Sequence, residues 1–113
     1  MLDTNDPTAH AEINVIRETS RKLQRYDLAD CEIYTTCEPC PMCLGAIYWA
    51  KIRKLYFGCT RYDAAEIAFA DKFIYDVIKG RRVKQQVKMI PIHRRQCLVL
   101  FREWELKADK IAY

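Results

Sequence analysis

Glycine is scarce in this chain: Gly45, Gly58 and Gly80 are the only three in 113 residues. No Walker loop and no G-x-G-x-x-G turn can be built from them, which excludes the phosphate-cradling folds. No G-x-S-x-G elbow is present, so the serine hydrolase pattern is absent too. Nothing at the start reads as a secretory leader, because Met1-Leu2-Asp3-Thr4-Asn5-Asp6 is acidic and polar. No apolar run is long enough to span a bilayer. Charge of one sign is also limited: 19 Lys+Arg against 15 Asp+Glu leaves +4. The basic clusters Lys51–Lys54, Lys79–Lys84 and Arg94-Arg95 permit contact with nucleic acid but read first as solvated turns and helix ends.

Cysteine, by contrast, is plentiful at six residues. In an unsecreted chain a C-x-x-C beside a strand–helix junction points to metal or redox chemistry rather than to disulfides. The expected compartment is therefore the cytoplasm, with reduced thiols. One small domain over 1–113 fits the length. A chain this short buries only roughly 60–70% of its unfolded surface, so a metal or a partner subunit would help to stabilise it.

The hydrophobic pattern orders the chain as α β α β α β α. Asp6-Pro7-Thr8 signals a helix start, with helix to about Arg25 and Ile13, Ile16 and Leu23 on one face. Residues 31–36 read as a strand. Pro41 opens a helix to about Ala50, and Lys54–Gly58 forms a second strand. Asp63-Ala64-Ala65-Glu66 has capping-box spacing, and Lys72–Lys79 is helical up to Gly80. Val87–Ile92 reads as a third strand and Arg95–Lys107 as a last helix. Strands separated by helices imply a parallel sheet of about three strands with helices on both faces.

The chemistry gathers in Cys37-Glu38-Pro39-Cys40-Pro41-Met42-Cys43 and in His10-Ala11-Glu12. Cys40 and Cys43 are i, i+3 at a helix start, so their sulfurs face one way, and the positive helix end favours thiolates. His10 and Glu12 are i, i+2 and do not share a helix face, which places His10 at a loose helix end. Cys40, Cys43 and His10 with an open fourth position suit a catalytic zinc, and Glu12 can move the proton of an acidified water. The reaction class is hydrolytic attack on an electrophilic carbon. Two alternatives stay open on these residues alone. Cys37 can join as a third thiol in a closed structural site, and His10 and Glu12 can be surface residues of a helix start. Cys31, Cys59 and Cys97 read as small core residues.

H-x-E followed by P-C-x-x-C is the signature of the zinc nucleobase deaminases, and this chain resembles that family over nearly its whole length. The resemblance implies a cytidine deaminase-like three-layer αβα sandwich, here without the helix and two strands that precede the H-x-E helix in the family. It implies one zinc ion on His10, Cys40 and Cys43, with Glu12 as proton shuttle. Within the family the motifs look most like the guanine deaminases of bacteria, through Asn5–Glu12, Cys37–Ala50, Asp63–Glu66, Phe73-Ile74-Tyr75, Trp104 and Tyr113. That branch implies conversion of guanine to xanthine and ammonia. It also implies Asp63 moving a proton to the leaving amine, and Ala11, Trp49 and Tyr113 against the purine. A homodimer in which residues 95–113 cross to the partner is a further implication. Deaminases of adenosine in tRNA share both zinc motifs and carry after them a Gly/Ala/Ser-rich loop that is lacking here. They remain the alternative, as does a zinc-binding module without catalysis.

Overall fold

The computed structural model describes residues 1–81 and 87–112 of the chain. The chain falls into two compact units, Met1–Val83 and Lys84–Tyr113.

In the first unit, helix α1 (Ala11–Leu23) precedes strand β1 (Glu32–Cys37), helix α2 (Pro41–Trp49), strand β2 (Lys54–Cys59) and the short helices α3 (Arg61–Glu66) and α4 (Asp71–Ile78). β1 and β2 pair in parallel, with Ile33 opposite Leu55, Tyr34 opposite Tyr56 and Cys37 opposite Cys59. α2 is the crossover that a parallel pair requires. Alternation along β1 sends Ile33, Thr35 and Cys37 inward and leaves Glu32, Tyr34 and Thr36 exposed. On the open face Tyr34 and Tyr56 stack with centroids 4.7 Å apart.

α2 carries no charged residue and buries Cys43 and Ile47 one turn apart. They continue a stripe that includes Cys40 and Ala50, also buried. Ile13 of α1 packs on Cys40 and Cys43, with Ala46 alongside. The small core therefore sits directly under the metal motif. The Leu28 N–H donates to the Ala50 carbonyl at 2.9 Å and ties the α1–β1 loop to the end of α2.

Helix α1 begins four residues after the expected signal at Pro7. The Asp6 carboxylate is taken up by the Thr8 N–H at 2.8 Å and the Thr8 hydroxyl at 2.6 Å, which makes a local turn instead of a helix cap. Cys59 is exposed and Cys31 half-buried, so neither is the core residue expected of it, because burial in this unit is concentrated around α2.

In the second unit α5 (Arg94–Leu106) is the one helix among the described residues, and Cys97 on it is exposed. The third strand expected at Val87–Ile92 does not form: residues 87–92 carry no strand, and the sheet among the described residues has two strands. Pro91 removes one donor from that run, and Val87, Met89, Ile90 and Ile92 are all exposed. β-branched residues make a strand only where a neighbouring strand pairs with them. Among the described residues no helix is long and apolar enough to cross a membrane. All six cysteines are free thiols.

Candidate metal and active site

His10 is the N-cap of α1, in extended backbone with φ −71° and ψ 157°. That conformation lets its ring turn back over α2, which a residue inside the helix could not do. Cys40 is the N-cap of α2, and its Sγ accepts from the Cys43 N–H at 3.4 Å. Pro41 follows at the first helical position, where its missing N–H costs nothing.

His10 Nδ1 lies 3.6 Å from Cys40 Sγ and 3.5 Å from Cys43 Sγ. All three ligand atoms lie within 4.8 Å of one another. A tetrahedral zinc with bonds of about 2.3 Å to sulfur and 2.0–2.1 Å to nitrogen sets S and N about 3.5–3.6 Å apart. The donor set and its spacing thus fit zinc and leave one coordination position to another ligand.

Burial pushes the Cys43 thiol far above its ordinary value, with the Cys40 hydrogen bond and the charges of Cys40 and Glu12 adding to the shift. In the metal-free chain this overrides the lowering expected at a helix N-terminus, since Cys43 is fully buried. A bound cation reverses the balance by deprotonating its thiols outright, so metal uptake releases protons.

Glu12, the second residue of α1, reaches the same cluster. Cys43 Sγ donates to Glu12 Oε2 at 3.6 Å, and the Thr35 hydroxyl makes a long contact of 3.4 Å to Glu12 Oε1. A cleft of about 270 Å³ opens beside it, lined by Ala11, Glu12 and Val15 of α1 and by Ile33–Thr36 of β1. Thr35 was not visible as a site residue in the sequence, although the strand period puts it on the inward face with Ile33.

Cys37 is not part of the cluster of ligand atoms. Its Sγ donates to the Thr60 carbonyl at 3.8 Å, and burial raises its thiol pKa. The closed site with a third thiol is therefore not assembled. Asp63 is the N3 residue of a capping box: its Oδ2 accepts from the Thr60 N–H at 2.7 Å and the Thr60 hydroxyl at 2.9 Å. These bonds hold its carboxyl below the ordinary value. Trp49 ends α2, roughly 13 Å along the helix from Cys40. It lines a separate groove of about 340 Å³ with Ile13, Ile16, Tyr26 and Ala46. Tyr113 lies outside the described residues.

A parallel strand–helix–strand unit with His and two Cys converging at two helix starts, and a glutamate beside them, defines a zinc hydrolase site of the deaminase type. Residues 2–59 match the family described as the cytidine and deoxycytidylate deaminase zinc-binding region. Guanine deaminase of Bacillus subtilis is 43% identical over 110 residues, which is 97% of this chain and 70% of that protein. The X-ray structure of guanine deaminase from Bacillus subtilis superposes with a TM-score of 0.86 at 43% identity, over 98% of this chain and 71% of that one. The tRNA-specific adenosine deaminase of Buchnera aphidicola is 35% identical over 77% of this chain and 58% of its own length. The chain belongs to the cytidine and deoxycytidylate deaminase zinc-binding family and has its α/β fold, and His10, Cys40 and Cys43 form its candidate zinc site.

Proposed function

We propose that this chain is a zinc-dependent guanine deaminase that adds water to guanine and releases xanthine and ammonia. The observation that carries the reading is the Glu12 carboxylate, 3.6 Å from Cys43 Sγ, beside a three-donor zinc site with a position to spare. The extent of the likeness to a guanine deaminase, 97% of the chain, favours guanine as the base.

Zinc, when bound, supplies a place where water becomes acidic near neutral pH. Glu12 takes a proton from that water and delivers one to the ring nitrogen next to the amine-bearing carbon. The carbon–oxygen bond forms as the ring nitrogen is protonated, and the carbon–nitrogen bond to the amine then breaks. Ala11 is the first residue of α1, where an N–H has no acceptor within the helix and can meet a purine oxygen. The reading assigns Asp63 the relay of the new hydroxyl's proton to the departing amine as the carbonyl forms, for which its carboxylate must leave Thr60. It assigns Trp49 and the terminal Tyr113 to the walls around the base. It also includes a cytoplasmic homodimer in which residues 95–113 cross to the partner and bring Tyr113 to its site.

The test is zinc content per purified chain together with xanthine formation from guanine. Glu12→Gln should keep one zinc per chain and lose turnover by about 10²–10⁴-fold. Full activity in that variant would sink the mechanism. A second reading, deamination of adenosine in tRNA, is favoured by the tRNA-specific relatives and the net charge of +4. Tight tRNA binding with a steep salt dependence, and adenosine loss in place of xanthine formation, would establish it instead.

A further inference from the structure

The two residues just before Cys40 are gripped from outside the metal site. Glu38 accepts from the Arg61 N–H at 2.8 Å through one carboxylate oxygen, and from Arg61 Nε at 3.0 Å and a terminal guanidinium nitrogen at 2.6 Å through the other. Both side chains are mostly covered, with 22% of Arg61 and 18% of Glu38 exposed. The Arg61 guanidinium sits over the Tyr75 ring, with its carbon 3.7 Å from the ring centroid. The buried Tyr75 hydroxyl donates in turn to the Pro39 carbonyl at 2.7 Å. The Glu38 N–H donates to the Cys59 carbonyl at 2.7 Å and closes the loop against β2. Four groups from β2, α3 and α4 thus hold Glu38 and Pro39, and the residue that follows is a ligand.

We propose that Arg61 and Tyr75 are positioning residues for the zinc site: they hold the Glu38-Pro39 peptide so that Cys40 Sγ stands at ligand distance from His10 and Cys43. The proposal rests on the zinc reading of that cluster. Cys40 is an N-cap, so its side-chain direction follows the loop entering the helix more than the helix itself. The guanidinium fork brings two N–H groups to one Glu38 oxygen while the Arg61 backbone N–H holds the other, which fixes that loop in angle as well as distance. Partners one layer out from the ligands orient them, and losing such a partner commonly weakens metal binding 10–100-fold. Arg61 and Tyr75 touch no ligand atom, so the effect passes through the peptide.

Arg61→Ala, Arg61→Lys and Tyr75→Phe in the full chain test it. Zinc affinity is read by chelator competition and ligand geometry by the visible bands of the cobalt-substituted protein. Arg61→Ala should bind zinc about tenfold or more weakly and shift the cobalt bands. Arg61→Lys, which keeps the charge without the fork, should fall between Arg61→Ala and the parent. Tyr75→Phe, which removes only the hydroxyl, should weaken zinc about threefold. A purely structural role would lower the melting temperature with the cobalt bands unchanged, and that outcome overturns the proposal. Zinc affinity within twofold of the parent in both Arg61→Lys and Tyr75→Phe overturns it even if Arg61→Ala fails to fold. A parent chain that binds no zinc overturns the metal reading and this proposal together. Zinc binding by the parent with unaltered variants overturns this one alone.

Discussion

Two of the three residues of Met1–Val83 that would hold a metal, Cys40 and Cys43, are also among its most buried, whereas Lys84–Tyr113 has no buried residue among those described. In the first unit Cys43 is fully covered and Cys40 nearly so, with Ile13 packed against both. In the second, Leu100 is 67% exposed and Phe101 71% exposed, although α5 is as long as α1. The difference shows where each unit finds its stability. The first joins its chemistry to its core, so the two cannot be removed separately. The second is a helix whose apolar side chains have little cover within their own unit, so its helicity rests there on local propensity.

Removing a ligand should produce the largest effect. Cys43→Ala opens the core and deletes a zinc donor at once. Binding of structural zinc in small domains is worth on the order of 10 kcal/mol, comparable to the whole stability of a domain. Zinc content should fall to near zero, and the dispersed amide signals of Met1–Val83 should collapse. Met42→Ala, at the neighbouring exposed position, should retain both. Dispersed signals in Cys43→Ala would separate core from chemistry and break the comparison.

Ending the chain at Val83 comes next. The first unit contains the three candidate ligands, Glu12 and the Arg61–Glu38 pair. The shortened chain should therefore keep one zinc and its amide pattern while losing xanthine formation and any dimer, as read by metal analysis, NMR and sedimentation. Loss of zinc on deletion would show that the first unit does not carry its own stability. Retained dimer and turnover would remove residues 95–113 from the proposed mechanism.

The same contrast explains what was legible in the sequence. His10, Glu12, Cys40 and Cys43 could be read because metal ligation ties residue type to spacing, and the helix starts that place them have their own signals in Pro41 and the C-x-x-C. Helices α2, α4 and α5 came within two residues of their observed ends, since caps and apolar stripes are local, whereas α3 starts at Arg61 with Thr60 as its cap, so the capping box is Thr60 with Asp63 and not the expected Asp63 with Glu66. The strand expected at Val87–Ile92 failed because pairing is not local: the same residues are strand or loop according to what lies beside them, and Pro91 withdraws a donor. Arg61 was invisible for a related reason. It meets Glu38 across 23 positions of sequence, a distance at which neither residue has a pattern that names the other. Asp63 shows the reverse problem, since its capping role and a catalytic one share the same local motif.

The smallest effect sharpens the comparison inside the first unit, by separating sheet packing from the metal site. Gly58 of β2 lies between the Thr35–Phe57 and Cys37–Cys59 pairs, where an added Cβ would stand 2.9 Å from the Thr36 carbonyl oxygen and 3.7 Å from its carbon. Backbone cannot swing aside as a side chain does, so Gly58→Ala must push β1 and β2 apart by a few tenths of an ångström. Overpacking of this kind costs about 1–3 kcal/mol, or several degrees of melting temperature in a domain this small. Gly45, in the middle of α2, has nothing within 4 Å of an added Cβ. Gly45→Ala should therefore stabilise by about 0.5–1 kcal/mol, the helix preference for alanine. Both variants should hold zinc as the parent does, because the ligands stand on the α1 and α2 starts and their loop is held by Arg61 and Tyr75. A Gly58→Ala chain that melts normally would mean the strands have slack, and one that loses zinc would mean the sheet, and not the clamp on Glu38 and Pro39, sets the position of Cys40.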